Sequence, residues 1–141
     1  MAKVSFVGFQ EKVEIPEGFE LLEVSEEIPT NLHQDQLFSL LSEPTKISEW
    51  FYQVTHLDSR PGGKVDFIGF DNTSAQAVCT SFVLGKEISL IADLFGNFSA
   101  KVVKGKGENS IHLHFAILTD DAEGKSKEIL SLIDRLRALI S

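Results

Sequence analysis

Residues Leu37–Phe51, LFSLLSEPTKISEWF, constrain the fold more than any other stretch of this chain. Leu37, Phe38, Leu40 and Leu41 fall on one side of a short helix, and Glu43-Pro44 breaks it. A second short helix then ends on Trp50, the only tryptophan. Pro44 suits a first helical turn, where its missing N–H leaves nothing unsatisfied. Ile47, Trp50 and Phe51 follow at i, i+3 and i+4 and share a face. Helices this short do not persist alone in water, so both must pack on something else. The rest of the chain offers a sheet: one strand-like segment before the stretch, about six after it, and a long helical segment at the end.

Phe19–Ile28 reads as the first strand, with Leu22, Val24 and Ile28 on one face. Glu20 and Glu26 share that parity, which predicts positions near the strand's ends. Pro29-Thr30-Asn31 is expected to stop the strand, with Asn31 capping the next helix and Gln34 reaching back. Beyond the helix pair, Tyr52–Asp58 alternates and Arg60-Pro61-Gly62-Gly63 turns. Lys64–Phe70 follows, then a polar turn at Asp71-Asn72-Thr73-Ser74. Ala75–Leu84 and Glu87–Leu94 flank Gly85-Lys86, a pair suited to a type II′ turn. That register puts Cys79, Ser81, Val83, Ile88, Leu90, Ala92 and Leu94 on one face.

The next hairpin has two readings. A turn at Gly96-Asn97 sends Ser99, Lys101 and Val103 inward, whereas a three-residue loop Phe95-Gly96-Asn97 sends Phe98, Ala100 and Val102. A one-residue slip flips every side chain, so the apolar set selects the three-residue loop. Lys104–Asn109 is a polar turn, after which Ile111, Leu113, Phe115 and Ile117 face the core. In Ala122–Ile140, Ile129, Leu132, Ile133, Leu136, Leu139 and Ile140 follow helical spacing. Such a helix runs about 28 Å, enough to cross a sheet.

A chain of 141 residues can bury one substantial core. We expect one domain over residues 19–141 preceded by an arm at 1–18. The arm's Val4-Ser5-Phe6-Val7-Gly8-Phe9 has strand composition, interrupted by Gly8 and Pro16-Glu17-Gly18. It lies either along the body or sheet edge, or in a second subunit as an exchanged strand, which would make a homodimer. A net charge of −8 repels phosphate backbones and argues against nucleic acid as a partner. Cys79 is the lone cysteine, which excludes an internal disulfide and a multi-cysteine metal site. The first residues lack a signal-peptide run, and no stretch approaches the ~18 apolar residues of a membrane span. A cytoplasmic protein is the expectation.

The order of strand, two short helices, antiparallel strands and one long helix resembles the helix-grip fold. In that fold, an α+β architecture, a curved antiparallel sheet of six to seven strands wraps the C-terminal helix. The residues also resemble one branch of this START/polyketide cyclase-like (SRPBCC) superfamily, the bacterial proteins similar to the activator of heat-shock protein 90 ATPase. The likeness is carried by Leu37-Phe38-Ser39-Leu40-Leu41-Ser42-Glu43-Pro44, Glu49-Trp50-Phe51 and Pro61-Gly62-Gly63-Lys64-Val65-Asp66-Phe67. It spans roughly residues 19–141, though Glu123-Gly124-Lys125 stands where the branch commonly has Gly-Trp. The superfamily includes lipid-transfer domains, hormone-binding proteins, cyclases and co-chaperone domains. The resemblance therefore implies a cavity or groove for something apolar and does not specify a reaction.

The inner face expected from these registers holds Phe67, Cys79, Ser81, Val83, Leu90, Ala92, Ala100, Val102, Leu113 and Phe115, with no Asp, Glu, His or Arg. General acid–base chemistry needs a titratable group in reach, which this wall lacks apart from a thiol. The leading expectation is a non-catalytic module holding a small apolar ligand between sheet and C-terminal helix. Trp50, Phe51, Phe67, Cys79, Ser81, Leu90, Ala92, Ala100, Leu113, Leu132 and Leu136 would line its site. A cyclase/dehydratase-like enzyme would rest on Tyr52 and His56, which share a strand parity beside Trp50; both are expected to turn to solvent. A co-chaperone-like interaction domain is the third reading. His112-x-His114 has metal-site spacing, but its apolar neighbours send both rings to solvent and no third ligand is evident. Lys104-Gly105-Lys106-Gly107 lacks the strand–loop–helix context of a phosphate cradle. Glu123, Lys125, Lys127 and Glu128 read as a solvated helix start, and no cofactor is expected.

Overall fold

The computed structural model describes residues 3–7, as a strand, and 16–141. The strands are β1 (Lys3–Val7), β2 (Glu20–Thr30), β3 (Gln53–Leu57), β4 (Lys64–Ile68), β5 (Ser74–Val83), β6 (Glu87–Ala92), β7 (Gly96–Lys104) and β8 (Asn109–Thr119). Helices α1 (Gln34–Ser42) and α2 (Pro44–Ile47) follow β2, and α3 (Ala122–Ile140) closes the chain. The strands form one antiparallel sheet in the order β1-β2-β8-β7-β6-β5-β4-β3. Residues 19–141 supply seven of them, within the expected range, and β1 adds an edge strand beside β2 of its own chain. Residues 8–15 of the arm lie outside the described residues.

Alternation of apolar and polar residues gives the sheet one buried face, and α3 lies against it with Ile129, Leu132, Ile133, Leu136 and Ile140 buried. Its boundaries are those that periodicity predicts. Pro44 stands in the first turn of α2, which ends at Ile47 and passes into a turn through Trp50 rather than ending on it, and Leu37, Phe38, Leu40 and Leu41 of α1 are buried. The first cap differs. β2 continues through Pro29 and Thr30, beyond the segment that pairs with β1. One side of β2 is therefore a free edge there among the described strands, where a proline can be tolerated. His33 rather than Asn31 then caps α1: its ring accepts from the Asp35 N–H at 3.2 Å, and the Gln36 side chain accepts from the His33 N–H at 3.1 Å.

Two bulges correct the expected faces. Val54 pairs with Phe67 and His56 with Asp66, so the chain gains one residue at Thr55. Cys79 pairs with Leu90 and Ser81 with Ser89, an extra residue at Thr80. Ser81 and Val83 leave the inner face in consequence, and Phe82, opposite Ile88, packs against the core. The β5–β6 loop is Leu84-Gly85-Lys86 rather than a two-residue turn, with Gly85 at φ +77°. The β6–β7 loop is Asp93-Leu94-Phe95, four positions from the expected pairing. An even shift preserves parity, so Phe98, Ala100 and Val102 do face inward. Gly96 adopts φ +71°, and a Cβ there would collide with the Ala116 carbonyl oxygen, which demands glycine.

Candidate functional site

Trp50, Phe51 and Tyr52 leave α2 in succession, and all three are buried. The Trp50 indole N–H donates to the Leu40 carbonyl at 2.8 Å, which ties it to α1. Phe51 stacks on Phe98 at 4.9 Å, and Phe98 meets Phe115 at 4.8 Å. Phe95 touches Phe51, Tyr52 and Phe67 at 5.3, 5.8 and 5.4 Å. A continuous stack of rings thus occupies the inner face. Phe67, Cys79, Leu90, Ala92, Ala100, Leu113, Leu132 and Leu136 are buried in the same cluster as Trp50 and Phe51. Ser81, carried off this face by the bulge, is only half-buried.

One polar group reaches the stack. The Tyr52 hydroxyl donates to Oε2 of Glu128, near the start of α3. Lys125 Nζ lies 3.4 Å from the same oxygen and donates to the Leu94 carbonyl at 3.0 Å. Lys125 and Glu128 are therefore half-buried anchors rather than a solvated helix start. Burial first, then the adjoining carboxylate, pushes the Tyr52 phenol far above its ordinary range. Tyr52 is thus held neutral as a donor. Phe70, 51% exposed, lies over Tyr52 at 5.1 Å, and the Arg135 guanidinium sits 6.0 Å from the Phe70 ring centre. That side is where the stack meets solvent.

Tyr52 and His56 do not form one site: the tyrosine is buried against Glu128, and the histidine is exposed. The bulge at Thr55 breaks their shared parity, so the expectation of solvent holds for His56 and fails for Tyr52. Cys79 is buried, and desolvation pushes its thiol up, away from nucleophilic character. His112 and His114 stand on the outer face of β8. Among the described residues, no group of three or more His, Cys, Asp or Glu could hold a metal ion.

The far end of α3 carries a second buried polar contact. Glu26 sits mid-strand, not at an end, and its side chain is fully buried in an ion pair with Arg137. Thr30 Oγ1 donates to the Ile140 carbonyl at 2.7 Å, securing the last turn beside it. The sequence missed Glu26, Arg137, Glu128 and Lys125 as partners. The one available signal was a carboxylate at an inward parity position of β2. A groove of about 480 Å³ between α1 and the β5–β6 loop, edged by Phe38, Phe82 and Leu84, lies apart from the ring stack.

No protein-family model matches this chain, and no curated protein matches it either. Solved structures do. CalU16 from Micromonospora echinospora superposes with a TM-score of 0.65 at 15% identity, over 100% of this chain and 87% of its own. The Aha1 dimer from Colwellia psychrerythraea gives 0.68 at 8% identity, over 84% of this chain and 92% of its own. DynU16, a protein of the dynemicin biosynthetic locus, gives 0.67 at 11%, over 87% of this chain and 47% of its own. The fold is the helix-grip fold. At these identities the likeness establishes architecture, and the helix-grip chain's chemistry rests on its own residues. None of its described helices is long and apolar enough to cross a membrane.

Proposed function

We propose that this helix-grip chain is a non-catalytic binding module for a small, ring-bearing apolar molecule, received between the sheet and α3 at the Tyr52–Glu128 end. The observation that carries this reading is an aromatic interior with one polar anchor: the Tyr52 ring lies against Phe67 and Phe95, and its hydroxyl is bonded to Glu128. Such a lining suits a ligand that gains most of its affinity from apolar burial and its orientation from one hydroxyl or amine. A ligand takes its place by displacing Phe70 and parting the stack from that side. An enzyme at this position would have to work through Tyr52 and Glu128, because His56 is too exposed to assist. We also propose a homodimer by sheet extension along β1, the terminal strand of the sheet.

The test uses Trp50, the lone indole, which lies 5.2 Å from Phe51 and 6.2 Å from Phe98. Titration with 2-naphthol should change its emission saturably, and Ala92→Phe, which crowds the inner face, should diminish the change. Tyr52→Phe should weaken 2-naphthol by about tenfold, and naphthalene much less. If neither probe alters the emission and native mass spectrometry finds no co-purified apolar molecule, the aromatic interior is core alone. Light scattering on a chain lacking residues 1–7 tests the dimer: a monomer is expected from the truncation and a dimer from the full chain.

A further inference from the structure

The outer face of the sheet carries a second constellation. Ser25, His114 and Ser99 stand in register across β2, β8 and β7, and Glu27, His112 and Lys101 form the next row. The intervening Glu26, Leu113 and Ala100 are buried toward α3, so both rows stand on the opposite face. These rows line a hollow of about 600 Å³.

Ser25 Oγ lies 2.9 Å from His114 Nδ1, and among the described residues Nε2 of that ring has no side-chain partner. His112 Nε2 is 3.4 Å from the Glu27 carboxylate and 3.1 Å from Ser110 Oγ. Among the described residues, neither Lys101 Nζ nor the Ser99 hydroxyl has a side-chain partner, although Glu87 stands opposite Lys101 on β6. Beside the Glu27 carboxylate, the hollow is lined by an ammonium, two imidazoles and two hydroxyls drawn from three strands. We propose that it binds the oxyanion group of a small soluble molecule, a phosphate or a carboxylate. Lys101 supplies the point charge, Ser99 and His114 supply directed donors, and Glu27 orients the His112 ring. Glu23, Glu27 and Glu87 on the same face, with the chain's net charge of −8, repel anions in general. The site accordingly selects a small anion that fits between the two rows, not an extended polyanion.

The experiment follows the imidazole NMR signals of His112 and His114 in the full chain. Inorganic phosphate, acetate and, at matched ionic strength, chloride are the three titrants. Saturable shifts with phosphate, with acetate or with both are expected, and which of them acts identifies the oxyanion. Lys101→Ala should weaken binding by about tenfold or more, as loss of a charged donor does, while Lys101→Arg retains part of it. Unchanged Trp50 emission verifies that these variants are folded. The proposal is overturned if phosphate and acetate move the imidazole signals no more than chloride does, or if Lys101→Ala binds like the unaltered chain.

Discussion

The two ends of α3 meet the sheet in opposite ways. Near its start, a carboxylate on the helix, Glu128, accepts from a neutral phenol of the sheet side, with Lys125 beside it. Near its end, a carboxylate on the sheet, Glu26, pairs with a guanidinium of the helix, Arg137, and Thr30 holds the Ile140 carbonyl. A fully buried carboxylate deprived of its cation is costly, so the Glu26 end behaves as a clamp. Loss of a single hydroxyl donor from the half-buried Glu128 costs far less, and the proposed ligand is placed beside Tyr52 at that end. The proposed binding reading rests on that difference between a fixed end and a more yielding one.

The largest expected effect removes what both ends share. Leu136 is fully buried mid-helix, and Leu136→Ala should destabilise by about 2–5 kcal/mol in chemical denaturation. A loss under about half a kcal/mol, typical of surface changes, would be incompatible with α3 packed on this sheet. Next, Arg137→Ala should cost roughly 2–3 kcal/mol, below the range for a fully buried pair because Arg137 is 41% exposed. It should leave 2-naphthol binding to the folded protein unchanged. Glu128→Gln sharpens the contrast: about 1 kcal/mol of stability and a clear loss of ligand affinity. If Arg137→Ala and Glu128→Gln affect stability and binding in equal proportion, the distinction between clamp and yielding end fails. The smallest effect is that of exposed His56: His56→Ala should fall within about half a kcal/mol and leave binding intact.

Local patterning was legible in the sequence, and long-range pairing was not. The periodicity of Ile129, Leu132, Ile133 and Leu136 and the position of Pro44 are properties of neighbouring residues, and both placed their helices correctly. The apolar set Phe98, Ala100 and Val102 found its face even though the loop was misplaced, because parity survives an even shift. Parity is also what the bulges at Thr55 and Thr80 spoil. One inserted residue parts His56 from the parity of Val54 and takes Ser81 off its expected face, without any composition signal. Tyr52–Glu128 and Glu26–Arg137 join residues far apart in the chain, so their chemistry appears only once α3 lies across the sheet.

The account turns on Tyr52 being held neutral in the aromatic interior, and it is the chain's only tyrosine. Its phenolate absorbance can therefore be assigned without ambiguity. The folded chain keeps the proton above the ordinary value of 10.0, while the unfolded chain loses it there. Above about pH 10 the unfolded state thus binds fewer protons, and stability falls by up to about 1.4 kcal/mol per pH unit from this group. Alkaline titration, with Trp50 emission recorded in parallel, should show no phenolate while the emission stays native. The phenolate should appear together with unfolding. A phenolate that forms near pH 10 in a chain whose Trp50 emission remains native would contradict the Tyr52–Glu128 contact and the binding site built on it.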